Sequence, residues 1–325
     1  MSGPQPIESG PAADAMDCLI IGAGPAGLTA AIYAARFRLK VQVIDAGASR
    51  AGLIPCTHNH AGFPDGVSGR ELLARMRAQA VKYGARIEHG AVTQIATADP
   101  GFVAQTTAGS MRARTVLLAT GVTNRRPPMP EELHRAALAA GRLRYCPVCD
   151  GFEVIGQDVA VIGTGERGVK EAKFLRSYTD KVTLVAPTGP HELGDDDRTA
   201  LVEADVIIAD GPVEGFELAE TGLSFSCAQG RRTFDTVYPA LGSDVHSDLA
   251  KALGASVTSE DCIKVDSHQR TSVPGLYAAG DVVIGLDQIS HAMGEAGVAA
   301  TTIRNDLAAQ RPLYCERNSK SGAER

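Results

Sequence analysis

Two cysteines three positions apart, Cys146 and Cys149, are the residues of this chain whose chemistry is most distinctive. Thiols at this spacing can close a small disulfide ring and reopen it, and a neighbouring cation or helix end can turn one of them into a usable thiolate. Asp150 follows directly and could give a proton to a leaving thiolate. The spacing alone is compatible with a redox pair, a zinc site or a structural feature, so the rest of the sequence must distinguish them.

The composition narrows the class of protein. The chain has 325 residues, of which 44% are apolar, so we expect about two domains with a substantial buried core. A net charge of −6 without a basic stripe argues against nucleic-acid binding. Seven cysteines with one close pair do not form a secreted disulfide framework, which favours a cytoplasmic protein. We expect a disordered tail over residues 1–15, with neither a signal peptide nor a membrane-spanning segment.

A glycine-rich turn near the N-terminus is typical of a dinucleotide-binding fold. The apolar residues 18–21 predict a buried strand, residues 28–37 a helix, and residues 41–44 a second strand that ends at Asp45. Glycines in such a turn allow close approach of backbone N–H groups to a pyrophosphate, and the acid can bind a ribose hydroxyl. The residues predicted to bind the dinucleotide here are Gly22, Gly24, Pro25, Ala26, Gly27 and Asp45.

The same pattern returns about 140 residues later in the chain, with one defect. Residues 159–162 and 182–185 predict buried strands on either side of a second glycine-rich turn and helix. The residue after the second strand is Ala186, where an acid would bind a ribose or an arginine a 2′-phosphate. We predict nucleotide binding here, with a vestigial fold as the alternative; the predicted contacts are Gly163, Gly165 and Gly168.

These elements predict an α/β fold of two Rossmann-like, three-layer ββα dinucleotide-binding domains, the second inserted in the first. Residues 16–123 and 240–316 are expected to form the first domain, and residues 124–239 the second. The proline-rich residues 125–130 would be one linker, and the return linker would lie near Tyr238.

Five motifs in order, GAGPAG, ATG, CPVCDG, GTGERG and GLYAAGD, make the chain resemble the low-molecular-weight thioredoxin reductases. The resemblance runs from Asp17 to about Pro312 and implies a homodimeric FAD enzyme of the pyridine nucleotide-disulfide oxidoreductase type. Electrons would pass from NADPH or NADH through FAD to the cysteine pair, and on to a thioredoxin-like protein or a small disulfide.

The resemblance also implies roles for single residues. Cys149 would face the flavin, Cys146 would attack the substrate disulfide, and Asp150 would donate the proton. Further contacts with FAD are implied at Asn59, Ala119, Thr120, Gly121, Gly280, Asp281, Gln288 and Ile289.

Two departures from the family pattern leave the electron source open. The basic HRRxxxR segment of NADPH-dependent members is missing, since residues 186–192 read APTGPHE here. Asp287 stands where an arginine usually precedes the glutamine, which exchanges a cation for an anion. A dithiol oxidase, a ferredoxin-linked or otherwise nicotinamide-independent member, and a flavin redox sensor without turnover therefore remain alternatives.

Several other residues have a functional and a structural interpretation, and we expect the structural one. Cys56, His58 and His60 alternate as metal ligands can, but they fall where the family covers its flavin. His291 is expected to pack, and residues 195–197, all aspartate, to form a solvated turn. Inert cysteines are predicted at Cys18, Cys227, Cys262 and Cys315.

Overall fold

The architecture is seen in a computed structural model that describes residues 15–313. Cys315 and residues 1–14 of the predicted tail lie outside the described residues. Within the described range, no helix combines the length and the hydropathy needed to cross a membrane.

A seven-stranded, mostly parallel sheet is built from both ends of the chain. Its strands are β1 (Met16–Ile21), β2 (Val41–Asp45), β3 (Arg86–His89), β4 (Val92–Thr97), β5 (Phe102–Thr106), β6 (Gly109–Leu118) and β16 (Leu276–Ala278). The order is β3-β2-β1-β6-β5-β4, and β16 pairs in parallel with β6. The last third of the chain therefore completes the sheet that the first third begins.

Four helices belong to this part of the chain: α1 (Pro25–Arg36), α2 (Gly69–Lys82), α7 (Asp248–Ala252) and α8 (Ile289–Gln310). One apolar core lies between the sheet and α1, α2 and α8, where buried alanines of α1 and α8 let the two helices approach closely. Helix α1 begins three residues before the prediction, since Pro25 suits a first helical position.

The middle of the chain forms a second parallel sheet. Its strands are β8 (Val159–Ile162), β9 (Val182–Val185), β10 (Ile207–Ala209) and β14 (Thr236–Pro239), in the order β10-β9-β8-β14. An antiparallel layer consists of β11 (Glu214–Leu218), β12 (Leu223–Cys227) and β13 (Gly230–Phe234). The helices here are α3 (Glu131–Ala139), α4 (Pro147–Asp150), α5 (Gly165–Leu175) and α6 (Asp195–Glu203).

The two parts are joined by a pair of short antiparallel strands, β7 (Val122–Asn124) and β15 (Ser243–Val245). Tyr238 itself is fully buried in β14, as a β-branched and aromatic run with no exposed face favours. The chain leaves the second sheet after Pro239, at the end of this strand, and continues into β15. The boundary between the two domains stays a prediction.

The solvated turn predicted for residues 195–197 is also wrong, because the three aspartates form the first turn of α6. Carboxylates are favoured at this position by the partial positive charge of a helix N-terminus.

Candidate active site

A cavity of about 780 Å³ is lined by residues of the part of the chain that forms the first sheet and by residues of the inserted part. Both cysteines of the pair are among them. The predicted site residues that line it are Gly22, Gly24, Pro25, Ala26, Asp45, Asn59, Ala119, Thr120, Gly121, Cys146, Cys149, Asp150, Gly280, Asp281, Gln288 and Ile289. Gly27, Gly163, Gly165 and Gly168 are not among the lining residues. Residues far apart in sequence are thus brought to one space.

The first glycine-rich turn has the geometry of a phosphate cradle. A Cβ on Gly22, whose φ is +102°, would lie 2.3 Å from the carbonyl oxygen of Ala119. A Cβ on Gly27 would lie 1.9 Å from the carbonyl oxygen of Gly22, so Gly27 acts by close packing. Helix α1 starts without a side-chain cap, which leaves N–H groups free for an anion. These features fit the pyrophosphate of FAD.

Asp45 ends β2 and is tied to the glycine-rich turn. One carboxylate oxygen accepts a hydrogen bond from the backbone N–H of Ala23 at 3.1 Å, and the other pairs with Arg77 at 3.1 Å. The side chain therefore holds the turn against the strand. Ribose binding by Asp45 stays a prediction.

Cys146 and Cys149 form a disulfide at the start of α4. The side-chain amide of Gln288, the residue before α8, donates to both sulfurs at 3.3 and 3.1 Å. The side-chain amide of Asn59 in turn donates to the side-chain oxygen Oε1 of Gln288 at 3.0 Å and accepts from the hydroxyl of Thr57 at 2.8 Å. Because N–H donors bind a thiolate more strongly than a neutral sulfur, Gln288 favours the reduced pair.

Asp150 lies between two residues that sequence reasoning missed. Arg144 pairs with one carboxylate oxygen at 2.9 Å, and the hydroxyl of Tyr238 donates to the other at 2.8 Å. Burial raises the pKa of Asp150, although both partners lower it. The side chain thus retains a proton to higher pH than an ordinary aspartate, as a proton donor to a thiolate requires. No local pattern marked Arg144 or Tyr238, because they meet Asp150 only in the folded chain.

A cation compensates for Asp287, which stands in the place of a family arginine. Arg50, in a short 3-10 turn over Arg50–Leu53, pairs with Asp281 at 3.0 Å and with Asp287 at 2.8 Å. Burial, followed by the charge of Asp287, raises the pKa of Asp281. Arg50 therefore supplies the positive charge from another element. The motif around Asp287 could not indicate this, because Arg50 is far from it in the sequence.

The second glycine-rich turn has the expected strand, turn and helix, from β8 to α5. A Cβ on Gly168 would lie 2.9 Å from the carbonyl carbon of Gly163, so this turn is also closely packed, although less tightly than at Gly27. Beyond β9, Ala186 and His191 are buried, and a ring nitrogen of His191 lies 3.1 Å from the Leu184 carbonyl oxygen. The segment that lacks the basic cluster is thus fixed onto the sheet. Nucleotide binding at this turn stays a prediction.

The histidines of the segment that covers the cavity have specific partners. His60 stacks on Phe63 and lies 3.2 Å from the hydroxyl of Ser290. His291 lies in α8 instead, where it is exposed and pairs with Glu295 at 3.1 Å, so it does not pack in the core as expected. Among residues 15–313, no group of three or more His, Cys, Asp or Glu side chains has a geometry that could hold a metal ion.

Three exposed apolar side chains lie within six residues of the cysteine pair in the sequence. Val148 is 50% exposed, Phe152 75% and Ile155 56%. Their spacing of four and three residues resembles a buried helical face, so sequence reasoning did not identify them as a surface. An exposed cluster of this kind is typical of a contact surface for another protein.

A Rossmann-type sheet with a glycine-rich turn, and a disulfide that opens onto the same cavity, define the class of dinucleotide-dependent disulfide oxidoreductases. The sequence profile of the pyridine nucleotide-disulphide oxidoreductases matches residues 16–296, and the chain belongs to that family. The family predicted from the motifs is confirmed.

Thioredoxin reductases are similar to this chain in sequence and in structure. The thioredoxin reductase of Streptomyces coelicolor is 32% identical over 289 residues, which cover 83% of this chain and 87% of the relative. That of Aquifex aeolicus is 34% identical over 283 residues, covering 82% and 85%. The crystal structure of thioredoxin reductase from Streptococcus pyogenes superposes with a TM-score of 0.83 at 30% identity, covering 90% of this chain and 98% of that one. The predicted fold class is confirmed by this similarity.

Proposed function

We propose that this protein is an FAD-dependent, thioredoxin-reductase-like enzyme that transfers electrons from NADPH or NADH to the Cys146–Cys149 pair and then to a disulfide substrate. One observation supports the proposal above all others. The glycine-rich phosphate cradle and the disulfide line a single cavity, although they are more than a hundred residues apart in sequence.

FAD would be held by the residues that line this cavity. The uncapped start of α1 with Gly22 and Gly24 suits the pyrophosphate, and Asp45 and Asp281 offer acceptors to hydroxyl groups. When bound, FAD supplies the two-electron chemistry that connects a nicotinamide to a disulfide. The chain itself positions the pair: Gln288 donates to both sulfurs and is oriented by Asn59.

The reduced pair would act by thiol–disulfide exchange. Cys146 passes its thiol proton to Asp150 and attacks one sulfur of the substrate disulfide, so that a mixed disulfide forms and the first leaving thiolate takes this proton from Asp150. Cys149 then attacks the Cys146 sulfur, which restores the internal disulfide and releases the second thiol. The substrate gains two electrons and two protons in total, and the enzyme pair loses them.

The substrate is a thioredoxin-like protein or a small disulfide, and the exposed Val148, Phe152 and Ile155 favour a protein.

Substitution of the resolving thiol tests the roles of the cysteines. In Cys149→Ser, the mixed disulfide on Cys146 cannot be resolved by a second thiol. The FAD-loaded variant, with its Cys146 thiol free, should therefore accumulate a covalent complex with an oxidised thioredoxin. Cys146→Ser is the matched control and should trap none. Turnover of the disulfide by Cys149→Ser at the wild-type rate would contradict the proposal.

We also propose a homodimer, as the resemblance to the low-molecular-weight thioredoxin reductases implies, located in the cytoplasm, as the cysteine content favours. Sedimentation velocity should then give about twice the mass of one chain, whereas a monomer would refute the proposed assembly.

A further inference from the structure

A third cysteine on the cavity wall carries a free thiol with the surroundings of a reactive nucleophile. Cys56 is exposed and lines the cavity, and its sulfur lies 3.6 Å from His58 Nε2. His58 Nδ1 lies 2.9 Å from Glu153 Oε1, a residue of the inserted part of the chain. Thiol, imidazole and carboxylate thus stand in the order nucleophile, base and orienting acid.

The backbone holds this arrangement in place. Thr57, between the two residues, forms a pair of backbone hydrogen bonds with Val67 at 2.9 and 3.0 Å, and its own side chain is buried. In an extended segment, residues two apart share a face, so Cys56 and His58 project together away from Thr57.

Gly66 makes the room for the thiol and the ring. Its φ is +75°, and a Cβ there would lie 2.5 Å from the Cys56 sulfur and 2.7 Å from Cδ2 of His58. Any other residue would separate the two side chains or displace them. A glycine at position 66, next to the Thr57–Val67 bridge, therefore permits the Cys56–His58 contact.

Glu153 is fixed as well. It follows the cysteine pair by four residues, and its second carboxylate oxygen is buried with no hydrogen-bond partner among residues 15–313. Because a carboxylate oxygen can only accept a hydrogen bond, His58 donates to Glu153 from Nδ1, and Nε2 is left to accept the thiol proton.

We propose that Cys56 is a covalent capture site for low-molecular-weight disulfides, with His58 as its base and Glu153 as the orienting acid. His58 accepts the thiol proton, and the Cys56 sulfur attacks one sulfur of the disulfide R–S–S–R. The R–S–S–R bond breaks as the Cys56–S–S–R bond forms, and the leaving RS⁻ takes the proton from His58. Cys56 lies on the wall of the cavity proposed for FAD, so the proposal concerns a disulfide small enough to reach the thiol beside that group. The exchange needs no external electrons, so it does not depend on the proposed function.

Reaction of the oxidised full-length protein with dithiodipyridine tests this proposal, because Cys146 and Cys149 carry no free thiol in that state. In a Cys315→Ser background, since Cys315 lies outside the described residues, we expect one rapid equivalent of released thiopyridone, with peptide mass spectrometry locating the adduct on Cys56. Cys56→Ser should abolish the rapid equivalent. His58→Gln should slow it about tenfold or more, since an unassisted cysteine is only a few per cent thiolate at neutral pH. Glu153→Gln should slow it by a smaller factor.

Two kinds of control make the result specific. His60 lies in the same segment, but its ring is within hydrogen-bonding distance of Ser290. His60→Gln should therefore leave the rate of the Cys56 reaction unchanged. Cys227→Ser and Cys262→Ser should also retain the rapid equivalent, because those thiols are half-buried. A rapid equivalent that persists in Cys56→Ser, or a His58→Gln variant as fast as wild type, overturns the proposal.

Discussion

At the scale of single residues, the cysteine pair is distinguished by the polar side chains that contact it. Gln288 donates to both sulfurs, and Asp150 keeps its proton to higher pH because burial raises its pKa. The Gln288 contacts stabilise the thiolate of the reduced pair, and the retained proton of Asp150 is available to a leaving thiolate. The residues around the pair therefore favour electron acceptance by the disulfide.

Replacement of Gln288 by leucine tests this directly. Without the amide donor, the thiolate loses about 1 kcal/mol of stabilisation relative to the disulfide, so the reduction potential of the pair should fall by roughly 20 mV. The potential is measured by equilibration with a dithiol buffer and alkylation of the free thiols. Gln310→Leu, at the far end of α8, is the control and should leave the potential unchanged. A potential in Gln288→Leu equal to or higher than wild type would contradict the role given to the amide.

At the scale of elements, much of the fold could be predicted from local patterns. Buried strands such as β8 and β9 have no polar residue that faces solvent, and glycine-rich turns mark where each strand passes into a helix. The site was harder to predict, because Arg50, Arg144 and Tyr238 come from different elements and acquire their roles only through tertiary contacts. The exposed Phe152 was missed for a related reason, since apolar spacing does not show which face a partner covers.

Helix α5 contains a buried carboxyl group that should make stability depend on pH. Burial raises the pKa of Glu171 from about 4.5 to about 7, and Arg167 only partly opposes this. The folded protein holds this proton more tightly than the unfolded chain, so the stability that it contributes is lost as pH rises between these values. Glu171→Gln should therefore be more stable than wild type by about 1–3 kcal/mol at about pH 8, with a much smaller difference at about pH 5.

Denaturant unfolding at the two pH values measures this difference. Glu166→Gln on the same helix is the control, because Glu166 is exposed and should show no such increase with pH. An equal effect of Glu171→Gln at both pH values would show that the carboxyl group does not titrate as the fold predicts.

At the scale of the whole molecule, the inserted part of the chain carries the disulfide in α4, and the first sheet carries the phosphate cradle. The antiparallel pair β7 and β15 is the backbone connection between the parts, and the side chains of Asn59, Gln288 and the disulfide connect them across the cavity. The apolar Val148, Phe152 and Ile155 remain exposed beside the pair. This arrangement leaves a surface on which a protein substrate can dock.

Truncation of Phe152 distinguishes a protein substrate from a small one. Burial of a phenylalanine side chain contributes about 1.5–3 kcal/mol, so Phe152→Ala should lower kcat/KM for an oxidised thioredoxin about tenfold or more. The value for a small aromatic disulfide should stay the same, because such a molecule does not cover this surface. Val202→Ala, which truncates another exposed side chain of the inserted part, should affect neither substrate. Equal losses with both substrates would refute a docking role.

The central claim is that electrons entering the protein reach the Cys146–Cys149 pair. An oxygen-free titration tests it most directly: NADPH or NADH is added to the FAD-loaded protein, and free thiols are then alkylated and located by mass spectrometry. We expect both Cys146 and Cys149 to become labelled in proportion to the nicotinamide oxidised. A bleached flavin with an intact disulfide would contradict the account, and so would a pair that a dithiol reduces but neither nicotinamide does.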